Sequence, residues 1–236
     1  MKKLNSGKSA RKKLNSPTEP DNQQVRDYGF SEIKPLNYIQ SRYLESMKNN
    51  NIVFGIGSAG TGKTFLAANY AAGLLFHRNV QKIVITRPNV EAGRSLGFLP
   101  GELEEKYAPY LEPFNDCFKK FLGKSFYEYC LKTKIIEPIP LGFMRGRSFD
   151  DTFILADEMQ NATKTDMMMF LSRIGKNSKI IISGDPRQCD IQDSGLEDAT
   201  NRLSKLKGVE VVEFLSDDIV RSPLCKQIII AYSNLY

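Results

Sequence analysis

The chain has 236 residues, 41% hydrophobic and 25% charged, which fits one soluble globular domain and is short for two. Four scattered cysteines without a C-x-x-C pair, and a single histidine, His77, argue against a zinc framework or a histidine-based catalytic centre. The net charge is +6, and residues 1–20 alone carry +5 of it.

Residues 1–33 read as a basic, polar, flexible tail. Such a tail either attracts nucleic acid loosely or merely solubilises the chain. No apolar run approaches the ~18–20 residues of a membrane span, and no apolar signal region follows the basic start. The expected location is the cytoplasm, with reduced thiols and no membrane partner. "PLNYIQSRYLESMKNNN" places Leu36, Ile39, Tyr43 and Met47 at helical spacing. "IVFGIG" reads as a buried strand, and "GKTFLAANYAAGLLF" as a helix that starts straight from the loop between them. "KIVIT", "TFILAD", "KIIISG" and "VEVVEF" are further apolar runs without alternation, as in strands buried on both faces. Strands alternating with helical segments predict an α/β fold with a mostly parallel sheet flanked by helices. About 65 residues separate "KIVIT" from "TFILAD", too many for one crossover. An inserted segment over about 88–150 is expected, with helices around 102–132 and the loop "LGFMRGRSFDD". Residues 34–236 are read as one domain.

Gly57-Ser58-Ala59-Gly60-Thr61-Gly62-Lys63-Thr64 fits G-x-x-x-x-G-K-[ST], between a strand and a helix. Small residues there let backbone N–H groups close around phosphate oxygens at a helix N-terminus. Lys63 is expected on the β/γ-phosphates and Thr64 on Mg²⁺. "TFILADEMQNAT" ends a strand with Asp157 and Glu158. Asp157 is placed to hold Mg²⁺, and Glu158 to orient or deprotonate the attacking water. The alternative, an acidic cap for the next helix, is weakened because "TKTD" from Thr163 already supplies a capping box. "KIIISGDPRQCD" is expected between the phosphate-loop strand and the Asp157 strand. Gln188 would then sense the γ-phosphate, with Asp185 steadying the turn.

The stretches "FGIGSAGTGKTFLAANYA", "ITRPNVEAGRSLGFLPGELEEKYAPYLEPFND", "PIPLGFMRGRSFDDTFILADEMQNAT", "MFLSRIGKNSKIIISGDPRQCD" and "DIVRSPLCKQIIIAY" together resemble the PhoH family over roughly residues 36–235. That family consists of P-loop ATPases related to the core of superfamily 1 helicases, with small versions common in bacteriophages. The resemblance implies a RecA-like fold, ATP as substrate with Mg²⁺, and a link to RNA metabolism. It also sharpens Gln40 in "LNYIQ", which is similar to the helicase glutamine that reads adenine. A glutamine amide can bond adenine N6 and N7 together; the alternative is an exposed helix glutamine. About 40 residues precede Gln40, too few for the nuclease module of some relatives, so that activity is not expected.

A single RecA-like lobe makes half of a helicase site. A neighbouring subunit is then expected to complete it, and the resemblance implies a homohexameric ring. Arg173 and Arg221 are the favoured candidates for an arginine supplied in trans. Arg87, Arg94, Arg145 and Arg147 are candidates for interface or nucleic-acid contacts. Phe98, Tyr107, Tyr110 and Phe143 are aromatic residues that either stack on bases or pack the insertion. Three functions compete: a translocase or helicase on single-stranded nucleic acid, with RNA favoured over DNA; a nucleotide-gated clamp with slow hydrolysis; and a small-molecule kinase. A kinase needs a lid and an acceptor pocket, and has no use for Glu158 and Gln188 as read here.

Overall fold

The structure is a computed structural model and describes residues 33–88 and 111–233. The expected tail therefore lies outside the described residues, apart from Ile33. So do Arg94, Phe98, Tyr107 and Tyr110.

The described elements are α1 (Tyr38–Asn49), β1 (Ile52–Gly57), α2 (Lys63–Phe76), β2 (Lys82–Thr86), α3 (Glu112–Leu122), α4 (Lys124–Lys132), β3 (Ile136–Pro138), β4 (Thr152–Ala156), α5 (Lys164–Leu171), β5 (Lys179–Gly184), α6 (Gly195–Leu203), β6 (Val209–Phe214) and α7 (Pro223–Ser233). The six strands form one sheet in the order β3-β2-β4-β5-β1-β6, with every pairing parallel. As expected, β5 lies between the phosphate-loop strand β1 and the Asp157 strand β4.

Neighbouring strand residues point to opposite faces, and helices cover both. Val53, Ile85, Phe153, Leu155 and Ile181 face one core with α1, α2, α3 and α4. Phe54, Val84, Ile154, Ile180 and Ile182 face the other, with α5 and α6. This two-sided burial is why the sequences of the interior strands β1, β2, β4 and β5 show no alternation. The architecture is an α/β fold with a parallel sheet, that of a RecA-like P-loop NTPase.

Strand β3 was not expected from the sequence. It is three residues long, ends in a proline and, among the described residues, pairs only with β2, Ile83 opposite Ile136. Proline is tolerated there because the strand is at the sheet edge. The long insertion is thus two crossovers, with α3 and α4 on the way out to β3.

Helix α1 is fixed at both ends. Asn37 caps its start, its Oδ1 accepting from Gln40 N–H at 3.0 Å. At its end the Lys179 ammonium donates to the carbonyls of Met47, Lys48 and Asn50 at 2.7, 2.9 and 2.8 Å. Tyr43, fully buried, meets the Phe214 ring edge-on at 5.2 Å. The helix, buried along one face, therefore presents Gln40 at a fixed place beside the loop after β1. Among the described residues, no helix is long and apolar enough to cross a membrane.

Candidate nucleotide site

A cavity of about 550 Å³ opens at the carboxyl ends of β1, β4 and β5. Ligands of open α/β sheets bind at such strand ends. Ala59, Gly60, Gly62, Lys63 and Thr64 line one wall, Asp157, Glu158, Asp185 and Gln188 another, and Gln40 a third. Gly57, Ser58 and Thr61 shape the loop from behind. Gly57 has φ +121°, and a Cβ there would run into the Phe214 carbonyl. Ser58 N–H donates to that carbonyl at 3.2 Å, and Thr61 Oγ1 donates to the Ser58 carbonyl at 2.9 Å.

The Lys63 ammonium is tucked into the loop, donating to the carbonyls of Gly57 (2.6 Å) and Ser58 (2.8 Å). Burial pulls its pKa below the usual lysine range, while the charges of Asp185, Asp157 and Glu158 oppose that shift. One residue on, Thr64 Oγ1 donates to Asp157 Oδ1 at 3.2 Å. Burial pushes the Asp157 carboxyl up to about 6, and Arg87 pulls against that rise. The hydroxyl and carboxylate converge beside the phosphate loop and offer only oxygen donors, a set that fits Mg²⁺. No cluster of three or more His, Cys, Asp or Glu that could hold a metal occurs among the described residues.

Glu158 sits where strand alternation would send it away from Asp157. Its backbone instead turns left-handed, φ +54° and ψ +33°, so that both acids line the same cavity. That conformation is strained for a non-glycine residue. The side chain is gripped twice: Arg87 Nη2 lies 3.0 Å from Oε1, and Gln160 Nε2 donates to Oε2 at 2.7 Å. Thr163 Oγ1 accepts from Asp166 N–H at 3.1 Å and caps α5, so neither acid of the pair serves as that helix's cap.

The turn after β5 is built as expected. Asp185 Oδ1 accepts from Arg187 N–H at 3.1 Å, and its Oδ2 accepts from the Gln188 amide at 2.9 Å. Gln160 was missed in the sequence. It is 1% exposed, and its Oε1 accepts from Asp185 N–H at 3.2 Å while its amide holds Glu158. The side chain thus joins the acid turn to the Gln188 turn. Its only sequence signal is its place two residues after Glu158.

Gln40 is buried rather than an exposed helix residue. Its Nε2 donates to the Thr61 carbonyl at 2.9 Å, and its Oε1 accepts from Leu36 N–H at 2.8 Å. One amide hydrogen and one oxygen lone pair are left over, the pair that adenine N7 and N6 require.

The arginines fall into different places. Arg87, read as an interface or nucleic-acid contact, stands inside the cavity on Asp157 and Glu158. Arg221, read as a trans residue, lines its own chain's cavity: a Cβ on Gly60 would meet its Cγ at 2.9 Å, and Val220 N–H donates to the Gly60 carbonyl at 3.1 Å. Arg173 donates within its own chain, to Met169 O at 3.1 Å, Ser172 Oγ at 2.9 Å and Arg147 O at 3.4 Å. Arg147 is paired with Glu137 at 3.1 Å. Arg145 is exposed.

A family model described as PhoH-like protein matches residues 32–233. Over 198 residues the chain is 47% identical to a PhoH-like protein of Bacillus subtilis (strain 168), covering 83% of this chain and 62% of that protein. It is 42% identical over 208 residues to Protein PhoH of Escherichia coli (strain K12), covering 86% of this chain and 59% of that protein. A PhoH-like protein of Synechocystis sp. (strain ATCC 27184 / PCC 6803 / Kazusa) is 38% identical over 205 residues, covering 86% and 62%. The chain therefore spans less than two thirds of the length of these relatives. With a match across nearly all its described residues, and with the phosphate loop, the acid pair and the Gln188 turn gathered at one cavity, the chain belongs to the PhoH family.

Proposed function

We propose that this chain binds ATP with Mg²⁺, hydrolyses it by attack of water, and couples the cycle to single-stranded nucleic acid, RNA favoured, within a homo-oligomeric ring. The observation that carries this reading is the meeting of Thr64, Asp157 and Glu158 around one phosphate loop, Thr64 and Asp157 being 3.2 Å apart. Loop N–H groups receive the phosphate chain at the start of α2. Lys63 turns from the Gly57 and Ser58 carbonyls toward the β/γ-phosphates, exchanging neutral acceptors for charged ones. Thr64 and Asp157 hold the ion, which supplies charge neutralisation on the phosphates when bound. Glu158 accepts the proton of the attacking water. Gln188, steadied by Asp185, reports whether the γ-phosphate is present. Gln40 uses its spare donor and acceptor on adenine.

One observation favours a second reading, the nucleotide-gated clamp. Both carboxylate oxygens of Glu158 are engaged, by Arg87 and Gln160. A base held this way turns over slowly until Arg87 shifts and carries Glu158 onto the attacking water. ATPase assays with and without single-stranded RNA separate the two. Strong stimulation that fades steeply with salt supports the motor. Slow, unstimulated hydrolysis with nucleotide-dependent RNA binding supports the clamp. Phosphate recovered on a small acceptor would remove both.

A further inference from the structure

The segment between β3 and β4 carries a turn that the nucleotide cavity does not use. Leu141 and Met144 are 3% and 0% exposed and root the 3₁₀ turn Leu141–Met144 in the core on the α5 side of the sheet. Phe143, between them, is 57% exposed, and Arg145 just after them is exposed too. Gly142 and Gly146 flank this pair. A Cβ built on either glycine meets nothing within 4 Å, so the turn projects into open space. Its base is braced by Arg147, whose guanidinium pairs with Glu137 at 3.1 Å and lies 5.2 Å from the Phe149 ring centre. Arg147 is thus occupied by the fold, whereas Arg145 makes no ion pair among the described residues.

We infer that the Phe143–Arg145 turn is a contact for single-stranded nucleic acid, the ring stacking on a base and the guanidinium meeting a neighbouring phosphate. A single strand offers apolar base faces and anionic phosphates side by side, the complement of an exposed ring two residues from an unpaired cation. A duplex hides its base faces. A protein partner needs roughly 800 Å² of contiguous surface, and a narrow turn with one apolar side chain between two bare glycines offers little of it.

The turn is also connected to the nucleotide cavity. Leu141 N–H donates to the Arg87 carbonyl at 3.3 Å, and the Arg87 guanidinium holds Glu158 at 3.0 Å. A strand gripping the turn therefore bears on the residue that positions Glu158. This deepens the functional reading above and rests on it, since it supplies the site through which nucleic acid acts on hydrolysis.

The test is fluorescence anisotropy of the full chain with labelled oligouridine and oligothymidine across a salt series, with assembly followed by mass photometry. Phe143→Ala should weaken binding by about tenfold or more, and Phe143→Trp should restore it. Arg145→Ala should flatten the dependence of log affinity on log salt by about 0.7, and Arg145→Lys should restore it. Unchanged melting temperatures establish that the variants fold. The ratio of the two oligonucleotides tells RNA from DNA. Equal affinity and equal salt slope in wild type and both alanine variants would overturn the inference and leave the ATPase reading standing. Lost binding accompanied by dissociation into smaller assemblies would overturn it in favour of a contact between copies. A wild-type chain that binds neither oligonucleotide would remove the nucleic-acid reading as well.

Discussion

The guanidinium of Arg87 stands 3.0 Å from the carboxylate of Glu158 and 3.8 Å from that of Asp157. It follows β2 directly, and its own carbonyl accepts from Leu141 across the sheet's carboxyl edge. Arg87 therefore positions the residue read as the base. Arg87→Ala should lower kcat about 100-fold through a misplaced Glu158 while ATP still binds. Steady-state kinetics beside equilibrium nucleotide binding check this; wild-type kcat in the variant contradicts it.

Gln160 makes a second prediction. Removing its amide frees Glu158 Oε2 and leaves the Asp185 N–H, now buried, without its acceptor. Gln160→Ala should cost about 1–3 kcal/mol of stability. It should also lower kcat at least tenfold with KM little changed, because it acts through Glu158 and not on ATP. A stability loss with normal kcat would reduce Gln160 to a packing role.

Much of the site was legible before the structure. The phosphate loop, Asp157, Glu158 and Gln188 are contiguous motifs, each tied to a strand end. The place of β5 followed from their joint chemistry. Thr163 announced its own cap. What was not legible depends on contacts through space. Arg87 reads like any loop arginine, and only the pairing of β2 with β4 brings it to the acids. Arg221 lies far from Gly60 in sequence and is laid on it by the Val220–Gly60 hydrogen bond. Strand β3, with the sequence Ile-Glu-Pro, is too short and too proline-marked to announce itself.

Arg221 gives the third prediction. Its stem rests on its own Gly60 and it lines its own chain's cavity, which favours a role at the nucleotide of its own chain. Mixing Arg221→Ala subunits with Lys63→Ala subunits should recover no ATPase activity at any ratio. Recovery would mean that the arginine reaches a neighbour's site.

Asp157 gives the fourth, in stability. Its folded pKa, raised by burial to about 6, lies above the unfolded value of about 3.9. Such a group favours the fold when protonated, fully so below the unfolded pKa. That contribution is lost as pH rises through 6, where the buried charge becomes a cost. In magnesium-free buffer Asp157→Asn should therefore be more stable than wild type at pH 7–8, by up to about 3 kcal/mol. The gap should close as pH falls from about 6 toward 4. Denaturant titrations across that range measure it, and a variant less stable than wild type at pH 8 would refute the account of Asp157.

On the proposed reading, the strand-end acids make this phosphate loop a water-activating ATP site. The most direct measurement is phosphate release from ATP and Mg²⁺ by wild type and Glu158→Gln, with nucleotide affinity measured alongside. Retained affinity with a loss of hydrolysis of about 10²–10⁴-fold is expected in the variant. Wild-type hydrolysis in Glu158→Gln would contradict it.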